Sequence, residues 1–149
     1  VIGSHFMHHI PTDLRPLVGK ECFRVLRQGT AILMTTAHED IYKHPLSRFF
    51  PEFASIDLGR FPHIEMVCNW LFEAGFTEII VDRIHEEPLV LNDVFADWVE
   101  CKPISTLELI EETQFRKGMR DLREQVIATR SRPEIFHWTS TLVCGKKRQ

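Results

Sequence analysis

The chain has 149 residues, 44% of them apolar and 26% charged, with 18 Lys and Arg against 21 Asp and Glu for a formal charge of −3. That profile specifies a globular domain able to bury a core without disulfide or metal staples, and it excludes disordered and collagen-like chains. The charge balance argues against a general nucleic-acid binder, which needs a basic face, and nothing approaches the roughly 18 uninterrupted apolar residues of a membrane span.

In chain order, Val1 to Met7 reads as a short strand already under way. Pro11-Thr12-Asp13 predicts a helix start with Thr12 or Asp13 as cap. Leu14, Leu17, Val18, Cys22, Val25 and Leu26 then recur at helical spacing, and Gly29 is expected to end the helix. The run Ala31 to Thr36 suits a central buried strand. His38 to Pro62, with its prolines and Tyr42, Phe49, Phe50, Phe53 and Phe61, reads as a long aromatic loop, of the kind that serves as a lid or binding loop. A helix is expected over Ile64–Phe72, closed by Ala74-Gly75-Phe76, and a strand over Thr77–Ile84.

Pro88 to Arg132 reads as two or three helices, with Trp98 in an apolar pattern, and Ile135 to Cys144 as the final strand, preceded by the breaker Pro133 and containing Trp138. Both tryptophans are expected in the core. Glu111-Glu112 and Arg116-Lys117-Arg120 read as exposed helix faces with i,i+4 pairing. The order β-α-β-α-β-(helices)-β belongs to an α/β domain with a largely parallel sheet, whose last two strands are joined through a helical insertion at about 89–132. Residues 1–149 are expected to belong to a single such domain. Cys22, Cys68, Cys101 and Cys144 form no CxxC pair, so a zinc site is not expected, and scattered cysteines without a basic-then-apolar leader point to the cytoplasm.

Three segments carry a resemblance. Val1-Ile2-Gly3-Ser4-His5-Phe6-Met7-His8-His9-Ile10 resembles the fourth strand, and the turn leaving it, of class I S-adenosylmethionine-dependent methyltransferases. Glu21-Cys22-Phe23-Arg24-Val25-Leu26-Arg27-Gln28-Gly29-Thr30 resembles their E-x-x-R-V-L-K-P-G-G segment, and Leu71-Phe72-Glu73-Ala74-Gly75-Phe76 their L-x-x-A-G-F turn. The likeness covers the first 85 or so residues and the last strand, and implies that residues 1–149 are the C-terminal part of the family's domain, with the C-terminal half of a Rossmann-like sheet, strands 4-5-7-6, from a small-molecule enzyme of the methyltransferase type 11 kind. It departs from the family at Gln28-Gly29-Thr30. More importantly, the Gly-rich cofactor loop and the acidic residue that holds the ribose are absent from these residues.

The resemblance implies S-adenosylmethionine as cofactor, with Ser4, His5 and Phe6 toward its methionine end and His9 at the outer edge beside the substrate. Whether a catalytic base is needed depends on the acceptor; the candidates are His9 and, on the loop after the second strand, His38, Glu39, Asp40 and Tyr42. The triplet His5, His8 and His9 has no carboxylate beside it in the sequence, so neutral imidazoles in a cleft are expected rather than a metal. The phenylalanines of 49–61 either shape an apolar acceptor pocket or pack a lid. The expected partners are a small-molecule acceptor and either a second copy or a missing N-terminal half added to the first strand, with no nucleic acid and no membrane. The chain alone is then an incomplete enzyme, or else a non-catalytic, self-associating module of methyltransferase origin.

Overall fold

The computed structural model describes residues 1–148. Its packing divides into two compact units. One comprises Val1–His38, Arg60–Ile84 and the chain from Thr139 onward; the other comprises Glu39–Gly59 and His85–Trp138.

The first unit is built on four strands, β1 (Ile2–Ser4), β2 (Gly29–Thr35), β3 (Thr77–His85) and β6 (Thr139–Lys147). They stand side by side in the order β1-β2-β6-β3, as the resemblance implies. The sheet is mixed rather than largely parallel: β1 runs parallel to β2, with Ile2 opposite Ile32, but β6 runs antiparallel to it, from Thr35 opposite Thr141 to Gly29 opposite Lys147. Since β6 begins beside the end of β2, no crossover has to carry the chain back across the sheet. In β2 the alternating residues Ala31, Leu33 and Thr35 are buried, so the continuous apolar run presents one face more deeply than the other.

Helix α1 (Arg15–Val25) starts later than the sequence suggests. Neither Thr12 nor Asp13 caps it; the N-cap is Leu14, with no side-chain bond, and Pro16 lies in the first turn. Proline removes a donor there and sets the helical φ, so the helix can start without a polar cap. Its buried face is Arg15, Gly19 and Cys22, whereas Leu14, Leu17 and Val25 are about half exposed. The reason is Gly19. A Cβ there would lie 2.6 Å from the Trp70 carbonyl oxygen of α4 (Ile64–Glu73), so the two helices meet at a glycine, which a count of apolar residues does not register. The helix ends at Val25, and Gly29, at φ +117°, opens β2 instead of closing α1.

The close of α4 follows the sequence reading. Gly75, at φ +104°, lets its N–H donate to the Phe72 carbonyl and the Phe76 N–H to that of Leu71, the double bond of a Schellman cap. Phe76 thereby enters the core formed by Cys22, Ala31, Leu33, Val67, Leu71 and Val143.

In the second unit, the expected loop is largely helical. It contains α2 (His38–Ile41), a 3-10 turn over Pro45–Arg48 and α3 (Glu52–Arg60). The prolines that read as loop punctuation stand at the starts of these turns, where the fixed φ of proline is favourable. Phe49, Phe50 and Phe53 are buried in a core with residues of α5 (Asp93–Glu100), α6 (Ser105–Glu108) and α7 (Glu112–Ala128), and Phe61 is buried in the other unit. These rings are packing residues. Asn92 caps α5 by accepting from the Phe95 N–H, and Glu111 caps α7 by accepting from Thr113 and Gln114. Asp57 and Thr106, both buried, satisfy each other at 2.5 Å.

The expected last strand is two strands. β5 (Ile135–Phe136) pairs with β4 (Leu89–Val90), and β6 starts only at Thr139. Trp98 is 40% exposed, contrary to the expected core position, because Phe95, Ala96 and Val99 supply the buried face of α5. Trp138 is half-buried, and its Nε1 is buried without a partner. The exposed pair Arg116–Glu112 meets at 2.8 Å at the i,i+4 spacing anticipated. Among the described residues no helix is long and apolar enough to cross a membrane, and the four cysteines are free.

Candidate functional site

Ligands of open α/β sheets lie beyond the carboxyl ends of the parallel strands. In the first unit that end belongs to β1 and β2. There the chain turns sharply at His5, which takes φ +45°, a left-handed conformation uncommon outside glycine. The turn is held by the His5 N–H donating to the Met34 carbonyl at 2.9 Å, and the His5 Nε2 lies 3.4 Å from the Ser140 hydroxyl on β6. Backbone held in a sparsely populated region clusters at functional sites. Ser4 is exposed at the strand end, while Phe6 folds back over Gly3, whose missing Cβ would overlap its ring. The geometry therefore makes Phe6 a packing residue as well as a candidate backbone contact.

Beyond the turn, Met7–His9 form a 3-10 turn that buries Met7. The His8 ring stacks on Phe61 with centroids 4.2 Å apart, and the His9 ring is tilted against it with centroids 4.1 Å apart. Phe61 also reaches His38: its carbonyl oxygen is 2.9 Å from His38 Nε2, and the His38 ring lies 3.9 Å from that of His63. A carbonyl can only accept, so His38 Nε2 carries the hydrogen and Nδ1 keeps the lone pair when the ring is neutral. The structure thus joins two residues singled out separately in the sequence, His9 and His38, through His8 and Phe61.

Two arginines, Arg15 and Arg60, stand beside this cluster. Arg15 is only 7% exposed, and its guanidinium donates to the carbonyls of Ile10 and Arg60, so it ties the turn to the segment carrying Phe61. No carboxylate pairs with Arg15 among the described residues. Burial first, then the charges of His9, Arg60, His5 and Arg15, push the His8 imidazole down to about 4. Its Nδ1 is buried and has no hydrogen-bond partner, and the hydroxyls of Thr35 and Thr141, opposite each other where β2 ends, are in the same condition. Unpartnered buried polar atoms are few in native proteins, and each calls for a partner such as an ordered water, an ion or a ligand.

Of the other candidates, Tyr42 belongs to the second unit and is 67% exposed; Glu39 and Asp40 are on α2, with Asp40 buried. Among the described residues no three His, Cys, Asp or Glu side chains gather as a metal ion requires. Sequence reading missed Arg15 and His63. Nothing could have signalled Arg15, because an arginine in a helical first turn ordinarily faces water.

No family model matches the chain, and no curated protein does. Solved structures do. A proposed methyltransferase from an antibiotic biosynthesis pathway of Anabaena variabilis superimposes with a TM-score of 0.67 at 19% identity, over 95% of this chain and 64% of its own. A proposed methyltransferase of Bacillus halodurans gives 0.55 at 17% identity, over 100% of this chain and 64% of its own. The fold is therefore the Rossmann-like α/β fold of class I methyltransferases, and the chain spans 64% of the length of each of these two structures.

Proposed function

We propose that the chain takes part in S-adenosylmethionine-dependent methyl transfer to a small-molecule acceptor in the cytoplasm. The observation that carries this reading is the sheet order β1-β2-β6-β3, with a strained turn and unpartnered polar atoms at its carboxyl end, in a fold shared with methyltransferases. The bound cofactor supplies an electrophilic methyl on a sulfonium, so positioning of the acceptor does most of the work left to the protein. Ser4, His5 and Phe6 line the methionine side of the cofactor. His9 borders the acceptor, and His38 Nδ1 takes the acceptor's proton where one leaves. Tyr42, 67% exposed, is the less favoured base.

The residues present fit the cofactor on one side only. All seven glycines are isolated, so in this reading the Gly-rich approach to the cofactor and the carboxylate for its ribose are not supplied by these residues. Isothermal titration of the chain with S-adenosylmethionine is therefore expected to show no micromolar binding. Micromolar binding would overturn the division of the site, and methyl transfer by the isolated chain would overturn it more directly.

One observation favours a second reading, a self-associating module. β1 stands at the sheet edge with Ile2 78% exposed, and open apolar edges pair with further strands. Sedimentation should then show a dimer that Ile2→Lys dissociates; a monomer at high concentration would dispose of this reading.

A further inference from the structure

Three features of the first unit converge on one kind of ligand. Arg15 carries a buried charge that no carboxylate among the described residues neutralises; its two hydrogen bonds go to the carbonyls of Ile10 and Arg60. His8, two residues from Ile10 and stacked on the residue after Arg60, has a buried Nδ1 with no partner. His9 lies against the same imidazole with its own ring exposed. A buried guanidinium is costly unless a counter-charge meets it, and an unpartnered ring nitrogen needs a group that can bond to it. A cation would be repelled here, and an apolar ligand would leave both groups unsatisfied. A carboxylate or phosphate group can accept from either one, and a group bridging the two would accept from both.

We propose that Arg15, His8 and His9 form a seat for an anionic oxygen group, and that this group belongs to the methyl acceptor. The first half stands on the geometry alone; the second rests on the methyltransferase reading, in which His9 borders the acceptor. The acceptor is then a small acid or phosphate ester rather than a neutral or cationic compound.

The test follows the His8 ring protons by NMR in the full chain while inorganic phosphate or acetate is added at constant ionic strength, with chloride as the matched salt. Phosphate or acetate is expected to give a saturable shift that chloride does not. His8→Phe keeps the stack on Phe61 and removes both ring nitrogens. In that variant the same titration, followed at His9, should weaken at least tenfold, with the thermal midpoint preserved. Arg15→Gln should abolish it, but that variant also loses the tie to Ile10 and Arg60, so His8→Phe decides. Equal shifts with chloride, or undiminished binding by His8→Phe, would overturn the seat. Displacement of phosphate by free methionine would assign the seat to the donor's amino-acid end and overturn the acceptor assignment. Anion binding is read without cofactor, so its failure is distinct from failure of the methyltransferase reading, which is judged by cofactor titration.

Discussion

Phe50→Ala should cost about 3–5 kcal/mol in urea unfolding, the range for emptying a fully buried aromatic site. Phe50 has no exposed surface, and its ring stacks on Phe115 with centroids 5.5 Å apart. It also presses on Gly118 of α7, where an added Cβ would lie 2.4 Å from the ring and 2.7 Å from the Phe49 carbonyl oxygen. Gly118→Ala is therefore expected to destabilise as well, by roughly 1–3 kcal/mol for overpacking. Its helical φ is no obstacle, so the loss comes from contact. The two changes share that contact, so the double variant should lose less than the sum of the singles. Rescue will be incomplete, because Phe50→Ala removes the ring but leaves the backbone oxygen of Phe49 in place. Strict additivity would show that Gly118 and Phe50 do not meet as described.

The same pair shows why parts of this fold could not be read from the sequence. Elements that carry their own local signal were legible: the continuous apolar run of β2, the apolar side of α4, and the Gly75 cap all announce themselves in the sequence. Phe49, Phe50 and Phe53 do not. Surrounded by prolines, they look like a binding loop, and only residues some 65 positions later in the chain, Phe115, Met119 and Leu122, make them a core. α1 failed for a related reason, since its contact face is centred on glycine and a buried arginine. The candidate site was legible in half. The turn after β1 was recognisable from its motif, and His9 and His38 were each singled out. Their connection through Phe61 was not, since a carbonyl bond and a ring stack leave no periodicity. Arg15 was invisible for the same reason that it is informative: charged residues are seldom buried without a partner.

Acid should destabilise this protein at a pH where carboxylate titration alone would leave it intact, and His44 is one cause. His44 Nδ1 accepts from the Leu46 N–H at 3.3 Å and so caps the Pro45–Arg48 turn, while its ring stacks on Phe53 at 4.8 Å and meets Trp138 edge-on at 5.4 Å. Protonation would turn that acceptor into a donor facing another donor. Burial accordingly pushes the imidazole from its usual 6.5 down to about 4. The unfolded chain then binds the proton first, so stability is intact above pH 6.5, falls as pH drops through 6.5, and reaches its full loss below about 4. At 1.36 kcal/mol per pH unit across that interval, the loss is about 3 kcal/mol. His8, lowered for the same first reason, adds to it in the other unit. His44→Asn retains an acceptor suited to a helical cap but cannot titrate. It should be less stable than the parent at pH 7, where the stack on Phe53 is lost, and should close or reverse that gap by pH 4. Urea midpoints of the two proteins, measured side by side between pH 7 and 4, give the difference free of the carboxylates common to both. Parallel curves across that range would mean that His44 is protonated in the folded protein without cost, and its cap and burial would have to be abandoned.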